Sequence, residues 1–129
     1  LQIIGTRNKA IILGNGGASK AVQYVLKKNN ISFLVASRNS NFTIKQIDEN
    51  ILSQYNIMIN ATPLGLYPNT NKFPNLPYHI LNSKHLLLDL VYNPEETLFL
   101  SKGKANGAAI KNGLEMLHLQ AEESWKIWN

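Results

Sequence analysis

Gly14-Asn15-Gly16-Gly17-Ala18-Ser19-Lys20-Ala21 decides how this chain is read. An apolar run, Ala10-Ile11-Ile12-Leu13, precedes it. In the stretch that follows, Ala18, Ala21, Val22, Val25 and Leu26 recur at helical spacing. Strand, glycine turn and helix in that order form the setting in which such glycines hold the pyrophosphate of a dinucleotide. Gly14 permits a tight turn that a Cβ would block. Gly16 lets the backbone approach the pyrophosphate closely, and the N–H groups and positive dipole end of the helix then hold the anion. The third glycine of the usual G-x-G-x-x-G pattern is Ser19 here, a residue small enough for helix–strand packing.

Working outward, residues 8–14 read as a first strand buried on both faces, 17–28 as a helix and Ile31–Ala36 as a second strand. The unit is about 30 residues long, the length of a βαβ motif. The end of the second strand selects the cofactor. An acidic side chain about 20 residues past the glycines would grip the ribose 2′-hydroxyl of NAD. Here that place holds Ser37-Arg38, with no carboxylate before Asp48. An arginine fork pairs with phosphate oxygens, so the residues favour NADP over NAD.

Further along, Ile44, Ile47 and Ile51 suggest a helix over Thr43–Leu52, with Thr43 and Gln46 as a capping box. Tyr55–Ala61 reads as a strand ending in Asn60-Ala61-Thr62-Pro63-Leu64-Gly65, a loop at the carboxyl end of a parallel strand, where ligands bind in such sheets. The Thr62–Pro63 bond is open to either isomer. Residues 67–77, with Pro68, Pro74 and Pro77, read as irregular. Leu86–Tyr92 is a further strand. Glu95-Glu96-Thr97 falls in the first turn of a short helix, with Leu98 and Leu100 inward and its end between Gly103 and Gly107. Ala108–Ile110 is a last strand, and Leu114–Trp128 a last helix. Asp89 reads either as part of a site or as a cap or turn residue. This alternation predicts a doubly wound α/β sheet.

Composition narrows the function classes. The 129 residues suit one domain, 44% of them are hydrophobic, and there is no cysteine, hence no disulfide or thiolate metal site. The net charge of +5 comes from scattered lysines, which favour an anionic cofactor over nucleic acid. No apolar run approaches the ~18 residues of a membrane span, so no membrane partner is expected. His79, His85 and His118 lack ligand spacing and read as surface or capping residues, so no metal is expected. Because the chain starts at Leu1-Gln2, it reads as a piece of a longer protein.

Five motifs occur in one order: Gly14-Asn15-Gly16-Gly17-Ala18, Ser37-Arg38, Asn60 to Gly65, Asp89-Leu90-Val91-Tyr92-Asn93-Pro94, and Asn112-Gly113-Leu114-Glu115-Met116-Leu117 through Gln120-Ala121. From Lys9 to Trp128 this resembles the C-terminal, NADP-binding half of the shikimate dehydrogenase family. The resemblance implies a Rossmann-like, mostly parallel sheet with helices on both faces, with residues 1–129 forming the cofactor domain of a cytoplasmic two-domain oxidoreductase. It also implies reversible reduction of 3-dehydroshikimate to shikimate with NADPH, a step of aromatic amino-acid biosynthesis. Gly14, Asn15, Gly16, Gly17 and Ala18 would hold the pyrophosphate, and Ser37, Arg38 and Asn39 the 2′-phosphate. Asn60, Ala61 and Thr62 would lie along the nicotinamide side, with Leu90, Gly113 and Met116 bordering the nicotinamide. Tyr92 and Gln120 would face substrate.

Two departures stand out. Phe42 occupies a position that is often basic in the family, which turns attention to Lys45. The family's catalytic lysine and aspartate belong to an N-terminal domain, so this chain is expected to carry no catalytic residue, to be inactive alone, and to self-associate through the Met116–Leu119 side. The competing readings are a non-catalytic nucleotide-binding module and a quinate or shikimate dehydrogenase preferring NAD.

Overall fold

The computed structural model describes residues 7–38, 40–91 and 93–113. The elements are β1 (Lys9–Leu13), α1 (Gly17–Lys28), β2 (Ser32–Ala36), α2 (Glu49–Gln54), β3 (Ile57–Asn60), β4 (Leu86–Asp89), α3 (Leu98–Ala105) and β5 (Ala109–Asn112). The strands form one five-stranded, wholly parallel sheet in the order β2-β1-β3-β4-β5. The order reverses between β1 and β3, and ligands of open α/β sheets bind outside the strand ends at such a reversal.

Successive side chains of a strand point to opposite faces, and both faces here are buried. Ile11, Leu13, Met58 and Leu87 point to one face, where Leu52 of α2 and Phe99 and Leu100 of α3 cover them. Ala10, Ile12, Ile57, Ile59, Leu86 and Leu88 point to the other, with Leu26 of α1. Each fully buried Leu or Ile contributes about 1.5–3 kcal/mol, so the central strands are the least tolerant part of the chain. The covered faces leave the carboxyl edge as the place where polar groups gather.

The register sets that edge. Leu13 pairs with Ala36 and with Asn60, Asn60 with Asp89, and Asp89 with Asn112. The next residue in each strand's exit, Ser37, Gly14, Ala61, Leu90 and Gly113, therefore starts its loop from one common edge. At ~4.8 Å per strand the row is about 19 Å long.

Several local expectations change. The helix over 43–52 is split in two. Ile44–Gln46 is a single 3-10 turn, in which the Thr43 N–H donates to Gln46 Oε1 at 2.8 Å. Ile47 is extended, and Asp48 caps a new helix by accepting from the Ile51 N–H at 2.9 Å. Two N-caps within six residues favour two short elements over one long one. Glu95 and Glu96 lie ahead of α3, because Thr97 is its N-cap and accepts from the Leu100 N–H at 3.3 Å. Phe99, not Leu98, is the inward partner of Leu100.

Gly103 lies within α3 against Leu87, and β5 reaches Asn112. The cis prolyl bonds are at Tyr67–Pro68 and Asn93–Pro94, and Thr62–Pro63 is trans. His85 has the expected capping role. Its Nδ1 accepts from the Asn82 N–H at 3.1 Å and its Nε2 donates to the Leu52 carbonyl at 2.8 Å. His79 is exposed. The residues over which a last helix is expected, His118 among them, lie outside the described residues, as does the Met116–Leu119 side expected to self-associate.

Candidate functional site

A cavity of about 600 Å³ opens at the reversal point. Its walls come from three strand exits: Gly14, Asn15 and Gly16 after β1, Ser37 and Arg38 after β2, and Ala61 and Thr62 after β3. Residues 21 to 48 positions apart in sequence meet here because the parallel register brings their strands out on one side.

Gly14 turns the chain with φ +103, and its N–H donates to the Ala36 carbonyl at 2.8 Å. A Cβ there would sit 3.2 Å from the Ala61 carbonyl oxygen and 3.2 Å from Thr62 Cγ2, so both conformation and contact call for glycine. Gly16 is different. Its backbone is extended, with φ −93 and ψ −162, and a Cβ would meet nothing within 4 Å. The same open space surrounds Gly17. Beyond the mild preference for glycine over alanine at the N-cap Gly16, nothing among the described residues asks for glycine at these two positions; a close external ligand would.

The helix behind them is left open in the same way. α1 has no side-chain cap and no acid in its first turn. The other two described helices are capped by Asp48 and Thr97. The first N–H groups of a helix need partners, and a bound anion supplies them. Ser19, at the third position of the glycine pattern, is fully buried and accepts from Gln23 Nε2 at 3.1 Å, in keeping with a packing role.

After β2 the backbone folds back through Ser40. The Ser37 N–H donates to the Phe42 carbonyl at 3.1 Å and to Ser40 Oγ at 3.2 Å, while Ser40 Oγ donates to the Phe42 carbonyl. This hook leaves the Ser37 hydroxyl oxygen buried without a hydrogen-bond partner among the described residues. It leaves Arg38 exposed, with no ion pair among the described residues. A smaller annex of about 380 Å³ continues past Arg38 and is lined in part by Thr43, Ile44 and Lys45. Among the described residues no Asp or Glu lines either cavity.

Asn60 has a different position from its neighbours Ala61 and Thr62. It is fully buried and does not line the cavity. Its Oδ1 accepts from the Thr62 N–H at 3.1 Å and from the Thr62 hydroxyl at 2.5 Å. Its Nδ2 donates to the Leu64 carbonyl at 3.3 Å and to both oxygens of Asp89, at 3.2 and 3.3 Å. Asp89, also fully buried, accepts in addition from the Val91 N–H at 2.9 Å and the Thr97 hydroxyl at 2.6 Å. Burial raises the carboxyl above its ordinary value, and outweighs the opposing effect of the donors on Thr97, Val91 and Asn60. This network fixes the loops after β3 and β4 and the start of α3 relative to one another.

Leu90 and Gly113 lie at the far end of the strand-exit row. A Cβ on Gly113 would fall 2.0 Å from the Leu90 carbonyl oxygen, so only glycine fits there. Asn39, Tyr92, Met116 and Gln120 lie outside the described residues. Sequence reading missed Thr97, Ser40 and the lining residue Ile44, whereas Pro63 and Leu64 belong to the 60–65 loop expected at the ligand end of the strand. The signal for the buried network was the lone carboxylate of Leu86-Leu87-Leu88-Asp89, since an acid in a strand buried on both faces must be satisfied internally.

No protein-family model matches the chain. A shikimate dehydrogenase (NADP(+)) of Clostridium beijerinckii is 36% identical over 137 residues, covering 98% of this chain and 50% of the relative. One of Methanococcus maripaludis is 35% identical over 135 residues, covering 92% and 48%. Among solved structures, a shikimate dehydrogenase in complex with NADP+ superposes with a TM-score of 0.73 at 32% identity, over 95% of this chain and 49% of that one. Shikimate dehydrogenase 1 of Peptoclostridium difficile gives 0.70 at 38% identity, over 98% and 49%. The chain thus spans about half the length of the curated relatives it matches.

Proposed function

Because this chain belongs to the shikimate dehydrogenase family, we propose that it is the NADP(H)-binding domain of an enzyme that interconverts 3-dehydroshikimate and shikimate. The observation that carries the proposal is the cavity at the reversal point. A Cβ on Gly16 there would touch none of the described residues, and Gly16 and Arg38 line the same space.

The residues fit the cofactor from one end of the sheet edge to the other. Arg38 and the unpartnered Ser37 hydroxyl stand at the β2 end, suited to an adenosine 2′-phosphate. The open amides from Gly16 into α1 suit the pyrophosphate. Ala61 and Thr62, then Leu90 and Gly113, continue toward β5 and suit the nicotinamide half.

When bound, NADPH supplies the hydride for ketone reduction. The chain's own part is to bind and orient. Asn60 and Asp89 hold the Ala61–Thr62 backbone in place, and Asp89 is already committed to internal hydrogen bonds. The proton partner for the ketone then comes from a substrate domain joined to this one, and Tyr92 and Gln120 belong to the substrate side. The isolated domain binds the dinucleotide and does not turn over.

The test is a titration of the chain with NADP+ and NAD+ in the wild type and Arg38→Ala. A charge-assisted contact with phosphate is worth about 1.5–3 kcal/mol, so Arg38→Ala weakens NADP+ binding by roughly tenfold or more and leaves NAD+ nearly unchanged. Equal loss for both nucleotides would remove the argument for NADP. Binding of neither by the wild type would remove the proposal.

A further inference from the structure

We infer that Lys45 is a specificity-determining residue of this chain, forming with Arg38 a two-cation clamp on the 2′-phosphate. The inference rests on the NADP(H) reading above and adds the second cation to it. Its basis is the annex beside the main cavity. Ser37, Arg38, Thr43, Lys45 and Asn75 supply the polar part of its lining, with both cations on it and no acid among the described residues. Arg38 and Ser37 also line the main cavity, so the two spaces adjoin at the Ser37–Arg38 corner.

Local folding gives Lys45 this position. In a 3-10 turn residues three apart share a side. Ile44 in the turn and Ile47 just past it both pack into the core face that also takes Phe42. Lys45, one residue on from Ile44, is thereby turned out of the core, and it lines the annex. The turn is tied at its base by the Thr43 N–H to Gln46 Oε1 bond of 2.8 Å and by the Gln46 N–H to Thr43 carbonyl bond of 3.0 Å.

Neither Arg38 nor Lys45 has an ion-pair partner among the described residues. Two like charges on one small cavity repel, and a dianion between them removes that repulsion. The apolar walls from Ile44, Leu64 and Pro74 lower the local dielectric and strengthen the attraction. The buried, unpartnered Ser37 hydroxyl offers a neutral donor at the same corner. The chemistry recognised is a phosphate monoester on the 2′-oxygen of an adenosine.

The test uses adenosine 2′,5′-bisphosphate and adenosine 5′-monophosphate, titrated calorimetrically into the wild type, Lys45→Gln, Lys45→Arg and Arg38→Ala. The wild type prefers the bisphosphate. Lys45→Gln lowers that preference about fivefold without changing the affinity for the monophosphate, and Lys45→Arg restores it. Loss of preference in Arg38→Ala but full preference in Lys45→Gln would overturn the role of Lys45 while keeping the NADP(H) reading. A wild type with no preference would overturn both. Far-UV circular dichroism of each variant shows that the fold is intact, since Lys45 is a surface side chain.

Discussion

Replacing Gly16 by alanine separates what the protein needs from what its ligand needs. The new Cβ meets no atom within 4 Å, and the backbone at φ −93, ψ −162 is open to any L-residue. Two small effects on stability oppose each other. Alanine is a poorer N-cap than glycine, at a cost of about 0.5–1 kcal/mol. Against this, losing glycine's freedom in the unfolded chain contributes about 0.4–1 kcal/mol. The net change is within about 0.5 kcal/mol, a shift in Tm of at most about 2–3 °C for a domain of this size. Binding behaves otherwise. The methyl group occupies the approach of the pyrophosphate to the α1 amides and displaces the anion from contacts worth about 1.5–3 kcal/mol. NADP+ affinity is expected to fall at least tenfold, by isothermal titration, while thermal unfolding followed by circular dichroism stays near that of the wild type. Unchanged affinity would refute the account of this glycine, and so would a fall in Tm of ten degrees or more.

Three further substitutions test the scaffold beneath the site. Gly113→Ala places a Cβ 2.0 Å from the Leu90 carbonyl oxygen and should destabilise by about 2 kcal/mol or more, read by urea denaturation. Asp89→Ala strands the donors of Asn60, Val91 and Thr97 in the interior, and about 3–5 kcal/mol of stability should be lost in the same assay. The carboxyl of Asp89 is raised on folding, so its proton binds more tightly to the folded than to the unfolded chain. The stability this residue contributes is full below its ordinary value of 3.8 and is lost as pH rises through the folded value. Relative to Asp89→Asn, the wild type should therefore gain stability as pH falls from neutrality toward that value, measured by denaturation at a series of pH values.

The parts of the fold legible in the sequence were those with a strong local signal. The apolar run before Gly14, the helical spacing after it and the βαβ length made the first half of the sheet readable. Thr43–Leu52 was misread because Ile44 and Ile47, three apart, fit an α-helix or a 3-10 turn, and Asp48 was not read as a second cap. The start of α3 was misread for a related reason. Thr97 serves both as a cap and as a donor to Asp89, a long-range contact with no trace in the local pattern.

At the site, the glycine loop and Arg38 were legible because glycine and arginine each carry a specific chemistry. The two glycines that look alike in the motif differ in the structure: Gly14 answers to its own fold, Gly16 to open space. Asn60 was read with the cofactor because it adjoins Ala61 and Thr62, but strand alternation turns its side chain inward to Asp89. Lys45 stood out in the sequence only by analogy with the family; the turn at 44–46 shows which side faces the core and leaves Lys45 on the annex.

The most direct measurement is a titration of isotope-labelled chain with NADP+, followed through its backbone amide resonances. Saturable shifts are expected, concentrated at Gly14, Gly16, Gly17, Ser37 and Arg38, with little change at the amino-terminal ends of the strands. A titration that leaves these amides unmoved, or that moves all surface amides alike, would contradict the NADP(H) reading.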